Sequence, residues 1–130
     1  MYKRVLLKLS GEALSSENDS FCQEHLDDVA LEIKEAINEG VQICIVIGGG
    51  NIYRGKTGEK LGMDRSIGDF MGMLATMMNS LALSNSLNKV NVDNIIYSSI
   101  ELNGYLEQYT QRQDNDDLNN KKVVIFAGGT

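Results

Sequence analysis

The stretch "VQICIVIGGGN", residues 41 to 51, constrains the fold more than any other part of the chain. From Val41 to Ile47 the residues are too continuously apolar to leave a solvated face, so the run reads as a strand buried on both sides, as in a parallel sheet. Parallel neighbours cannot be joined by a tight hairpin and require crossover connections, usually helical. The three glycines that end the run pose a second constraint. They are either a tight turn or a place where backbone N–H groups meet a phosphate with no Cβ in the way.

The flanking segments meet the first constraint. "RVLLKLS" (4 to 10) is a short apolar run with one internal lysine and reads as a strand ended by Gly11. From Glu24 to Glu39, Leu26, Val29, Ala30, Ile33 and Ile37 recur at helical spacing, and Gly40 supplies a C-terminal stop. A loop rich in glycine and charge (48 to 62) leads to a long helix from about Asp64 to Lys89, which carries Ile67, Phe70, Met71, Leu74, Met77, Met78, Leu81 and Asn85 along one stripe. "VDNIIYSSI" (92 to 100) is a third strand, "ELNGYLEQYTQRQ" (101 to 113) a short helix or turn, "DNDDLNN" (114 to 120) a polar connection, and "VVIFAGG" (123 to 129) a fourth strand. Alternating strands and helices predict an α/β fold in which right-handed crossovers place a mainly parallel sheet between helix layers, a three-layer sandwich.

Composition narrows the function. At 130 residues the chain fits one domain, and a net charge of −6 argues against a duplex nucleic-acid binder, which needs clustered Lys and Arg. No apolar stretch approaches the roughly 20 residues of a membrane span, and the start "MYKRVLLKLSGE" does not develop a signal-like core, so no membrane partner and a cytoplasmic location are expected. Cys22 and Cys44 are too few to staple a domain and read as reduced thiols, with Cys44 as core filler. No metal cluster can be assembled from them. The chain's last residues form an apolar strand and a Gly-rich turn, so these residues are expected to be the first part of a longer protein.

Ligands of open α/β sheets bind at the carboxyl ends of strands, and the glycine clusters fall there: Gly11, Gly48 to Gly50, and Gly128 with Gly129. Lys8 stands in the first strand where an apolar residue would serve a structural strand, and an inward lysine needs an anionic partner; the alternative is a lysine snorkelling at the strand's end. Arg54 and Asp69, ordinary surface charges if taken singly, both follow the second strand's carboxyl end, where one could clamp a phosphate and the other accept hydrogen bonds from sugar hydroxyls. Neither G-x-x-x-x-G-K-[ST] nor G-x-G-x-x-G is present. His25 has no Ser or Cys partner at recognisable spacing, and the five methionines from Met63 to Met78 read as adaptable core or interface packing.

Taken together, "KRVLLKLSGEAL" (3 to 14), "VIGGGNIYRG" (46 to 55), "MDRSIGDFMGMLATMMNSLAL" (63 to 83), "LNG" (102 to 104) and "VVIFAGGT" (123 to 130) resemble the bacterial uridylate (UMP) kinases of the amino acid kinase family. The resemblance is collinear over the whole chain, and the third segment is similar to the UMP kinases in particular. It implies transfer of the γ-phosphoryl group of Mg-ATP to UMP, giving UDP for pyrimidine nucleotide synthesis. By the same resemblance Lys8, Leu9, Ser10 and Gly11 contact the ATP phosphates, with Lys8 stabilising the transferring group. Gly50 and Arg54 lie on the ATP side; Gly49, Asp69 and Thr130 serve UMP. It also implies a homohexamer, and residues 1–130 as the UMP-binding and phosphate-binding portion of one kinase domain.

Three departures bear on these expectations. In the family the chain continues past "AGGT" into the rest of the UMP site and a half that holds the adenine; a chain truly ending at Thr130 is expected neither to bind ATP well nor to turn over. "SSENDSFCQE" (15 to 24) lacks the glycines that many members carry before the first helix, leaving regulation by GTP or UTP open. The segment before the last strand offers only Leu118 as an apolar anchor, so a helix there should be short or frayed. Two other readings remain: a family member that phosphorylates a carboxylate or carbamate, and a non-catalytic storage or assembly module of the same fold.

Overall fold

The structure, a computed structural model, describes residues 3–53, 55–98, 107–108 and 122–128. Strand β1 (Lys3–Leu9) leads through a 3-10 turn (Gly11–Leu14) to helix α1 (Gln23–Asn38) and strand β2 (Val41–Ile47). A short helix α2 (Gly55–Lys60) and the long helix α3 (Arg65–Lys89) follow, then β3 (Asn94–Ser98), the two-residue β4 (Glu107–Gln108) and β5 (Val123–Ala127). All strand pairs are parallel, in the order β1-β2-β5-β3-β4. The expected α/β class therefore holds.

Both long helices pack on one face of the sheet. The steps β1→β2 and β2→β3 run in the same direction along the strand order, so right-handed crossovers put α1 and α3 on the same side. There Ala30 and Ile33 of α1, Leu83 and Leu87 of α3, and Ile43, Ile45, Ile96 and Ile125 of the strands close one core. The opposite face alternates with it: Cys44, Ile95 and Phe126 pack around the buried Tyr97 and Val124. The described residues thus supply the sheet and one helical layer of the expected sandwich. Gly40 ends α1 with φ +91°, a left-handed conformation that costs glycine no steric penalty.

Three details differ from the sequence reading. The loop 48 to 62 contains α2, whose sequence "GKTGEK" has no apolar residue to signal a helix. Within 101 to 113, read as a short helix or turn, residues 107 and 108 form a strand paired with Tyr97 and Ser98, because the outer side of β3 is open to a parallel partner; the rest of that segment and the polar connection lie outside the described residues. Apart from Met77, which is buried in the core, the apolar stripe that marks α3 is also not the side that meets the sheet. Ile67, Phe70, Leu74, Met78 and Leu81 are exposed, whereas the buried side is Ala75, Thr76, Met77, Asn79, Ser80, Leu83, Ser86 and Leu87. Small side chains let the helix lie close to the strand ends.

Candidate functional site

Parallel pairing brings the carboxyl ends of β1, β2 and β5 to one edge, in register from Leu9↔Ile47 and Val46↔Phe126. The N-terminal half of α3 passes over that edge, and the space between is a cleft of about 900 Å³. Its floor is Lys8, Leu9 and Ser10 from β1 and its end, Val46 to Gly50 from β2 and its end, and Phe126 from β5. The α3 side contributes Arg65, Asp69, Gly72, Met73 and Thr76; Tyr53, Gly58, Glu59 and Met63 line the region of α2 and the loop before α3.

The residues named from sequence are thereby brought together in part. Lys8, Leu9, Ser10, Gly49, Gly50 and Asp69 all line the cleft, with Lys8, Ser10 and Asp69 exposed to it. Gly11 does not line it. It is buried behind the floor, where an added Cβ would collide with Asn51 Oδ1 and lie 2.8 Å from the Gly48 carbonyl oxygen. Arg54 and Thr130 lie outside the described residues. Among the described residues no three His, Cys, Asp or Glu side chains gather as a metal site. Cys22 and Cys44 are both partly buried and form no disulfide with each other.

The three glycines have different reasons for being glycine. Gly48 continues the β1 ladder, its N–H donating to the Leu9 carbonyl (2.9 Å), and a Cβ there would meet nothing closer than 3.6 Å. At Gly49 a Cβ would stand 2.7 Å from Ala75 Cβ and 3.2 Å from the Thr76 nitrogen. The close neighbour that excludes a side chain at Gly49 is therefore α3. The Gly49 carbonyl then accepts from Ile52 N–H and Tyr53 N–H, both at 3.0 Å, which turns the chain out of the strand.

Behind this turn lies an amide clasp that the sequence reading did not single out. Asn79, fully buried in α3, donates from Nδ2 to the Gly48 carbonyl (2.6 Å) and to Asn51 Oδ1 (2.7 Å). Asn51 Nδ2 returns a bond to Asn79 Oδ1 (3.0 Å) and donates to the Ser20 carbonyl (2.8 Å). One helix turn earlier, Thr76 Oγ1 donates to the Met73 carbonyl (2.7 Å) and accepts the Gly128 N–H (2.8 Å), tying the end of β5 to α3. An uncharged amide on the buried side of a helix is the only sequence signal for Asn79, and it becomes informative once the buried side is known. Arg65 and Tyr53 were missed for simpler reasons: one is a lone charge at a helix start, the other an aromatic in a loop. Arg65 adds a cation to the cleft lining that also holds Lys8, at the positive end of a 25-residue helix.

Chemically, this is a cleft that can hold anionic groups against backbone N–H donors, the cations Lys8 and Arg65 and a helix N-terminus, with the carboxylates of Glu59, Asp64 and Asp69 also on its lining. Comparison with known proteins agrees with that character. The amino acid kinase family model matches residues 3–130. A uridylate kinase of Pseudomonas fluorescens is 49% identical over 130 residues, covering 99% of this chain and 53% of the relative. Crystal structures of UMP kinase from Ureaplasma parvum (TM-score 0.94, 34% identity, all of this chain and 57% of that one) and from Bacillus anthracis (TM-score 0.93, 41% identity, 98% and 53%) share the fold. The chain thus spans about half the length of the relatives it matches. It belongs to the amino acid kinase family.

Proposed function

We propose that these residues form the acceptor-binding and phosphate-binding portion of a UMP kinase, which transfers the γ-phosphoryl group of Mg-ATP to UMP and yields UDP for pyrimidine nucleotide synthesis. The observation that carries this reading is the meeting of Lys8, the Gly49 backbone and Asp69 in one cleft at the carboxyl edge of a parallel sheet. Phosphoryl transfer asks the protein mainly to align two nucleotides and neutralise charge, with no covalent nucleophile. Lys8 and the Ser10 region serve the donor phosphates, the Gly49 backbone and Asp69 the acceptor phosphate and ribose, and Arg54 and Thr130 complete the two sides. Magnesium arrives with ATP and retains waters and phosphate ligands, so it needs few protein carboxylates.

Two further properties accompany this reading. The exposed stripe Ile67, Phe70, Leu74, Met78 and Leu81 on α3 supports a subunit interface, since these side chains are still 39–57% exposed and covering each is worth about 1 kcal/mol; the homohexamer is what the resemblance to the UMP kinases implies. A cytoplasmic enzyme is consistent with the described helices, none of which is long and apolar enough to cross a membrane.

The test is an ATP-dependent assay of the natural gene product with UMP, glutamate and acetylglutamate as acceptors. UDP is the expected product, and turnover of a carboxylate with UMP inert would reject the reading. Lys8→Ala should lower UDP formation by about 10²- to 10³-fold, the usual cost of one preorganised charge-stabilising donor. Undiminished turnover would remove Lys8 from the mechanism.

A further inference from the structure

The Gly48–Gly49 peptide is held in one orientation by a side chain that does not itself line the cleft. Its carbonyl oxygen accepts from Asn79 Nδ2 at 2.6 Å, on the side of the buried helix face. In a trans peptide the C=O and the following N–H point in opposite directions. With the Gly48 carbonyl turned toward Asn79, the Gly49 N–H is turned away from it, on the side of the cleft that Gly49 lines. No described residue accepts that N–H, whereas the Gly48 N–H and the Gly49 carbonyl are both bonded. Gly49 is half-buried, and an N–H there without a protein partner calls for a ligand oxygen or water.

We infer that Asn79 is a positioning residue for acceptor binding: through the Gly48 carbonyl it aims the Gly49 N–H at an anionic oxygen in the cleft. This rests on the reading of the cleft as a UMP site. Asn51 braces the arrangement. Its amide pairs reciprocally with that of Asn79 and anchors to the Ser20 carbonyl, so Asn79 cannot rotate away without breaking its bonds to both Gly48 and Asn51. Gly11 is glycine for the same reason, because an added Cβ would displace Asn51 Oδ1 and stand 3.0 Å from Asn79 Nδ2. A purely space-filling role at a buried helix position would be met by an apolar side chain such as leucine, which branches at the same carbon and has higher helix propensity.

The test uses Asn79→Asp in the natural gene product, which keeps the shape but sets a carboxylate oxygen against the Gly48 carbonyl. Asn79→Ser is the second variant, smaller and neutral, should the charged one not fold. Losing one hydrogen bond to a charged group should lower kcat/KM for UMP about 10- to 100-fold, through a raised KM for UMP with KM for ATP within about twofold. Ser84→Ala, which removes a bond to Asn94 at the other end of α3, serves as a control that changes stability and leaves the UMP KM alone. An unchanged UMP KM in a folded Asn79 variant, or an equal rise for both substrates, overturns the assignment. A second readout does not depend on turnover. The Gly49 amide resonance should shift when inorganic phosphate is titrated into the parent, and should shift much less in the Asn79 variant. A phosphate-responsive Gly49 in a protein that does not phosphorylate UMP would leave the positioning intact and refute the kinase reading instead. A Gly49 amide indifferent to phosphate in the parent refutes the positioning.

Discussion

Alanine at Gly48 and alanine at Gly49 look equivalent in "VIGGGN", and the structure separates them. A Cβ at Gly48 would make ordinary contacts, the nearest at 3.6 Å, and φ there is not in the left-handed region. Gly48→Ala should therefore be neutral or stabilising by up to about 1 kcal/mol, because alanine restricts the unfolded chain. A Cβ at Gly49 would lie 2.7 Å from Ala75 Cβ, about 0.7 Å inside ordinary van der Waals contact, and 3.2 Å from the Thr76 nitrogen. Both obstacles are fixed to the α3 backbone, so relief requires moving a helix that is also bonded to Gly48 and Gly128. Overpacking of this kind costs about 1–3 kcal/mol. Ala75→Gly removes the nearer obstacle and by itself costs about 1 kcal/mol of helix propensity. In Gly49→Ala/Ala75→Gly the two losses should fall short of their sum by about 1–2 kcal/mol, leaving only the contacts at 3.2 and 3.3 Å. Urea denaturation of the four proteins measures this directly. Additivity within about 0.5 kcal/mol would refute the claim that α3 is what forbids a side chain at Gly49.

Two other perturbations test neighbouring parts of the structure. An alanine Cβ at Gly58 would collide with the Tyr53 hydroxyl, so Gly58→Ala should destabilise by about 1–3 kcal/mol, and Tyr53→Phe should recover part of the loss in thermal melts; no recovery would mean that the hydroxyl is not the obstacle. Leu74→Glu with Met78→Glu places charge on the exposed stripe of α3, and sedimentation should show a smaller assembly with an unchanged circular dichroism spectrum; an unaltered assembly would remove this face from the interface.

The elements that were legible from sequence are those determined locally. β2 is apolar but for Gln42 and its bounds match, and α1 ends at the glycine whose φ is +91°. Lys8 and Asp69 both line the cleft, Lys8 because β1 ends at the common edge of the sheet and Asp69 because α3 passes over that edge. The orientation of α3 was not legible for a physical reason: hydropathy marks the side rich in large apolar residues, while close approach to strand ends selects Ala75, Thr76, Asn79 and Ser80. Two of those then satisfy backbone groups far away in sequence, Thr76 on Gly128 and Asn79 on Gly48. A buried polar atom costs free energy unless its partner is in place, so its presence makes sense only with tertiary pairing known. The same holds for the glycines. Composition shows that Gly48, Gly49 and Gly50 lack side chains, but only the position of Ala75 shows that Gly49 is hemmed in by a helix. The Asn79 bond shows that the peptide before it has a preferred face. In this site the backbone geometry that a ligand would meet is set from behind by the helix, so residues that touch no ligand should carry acceptor specificity alongside those that do.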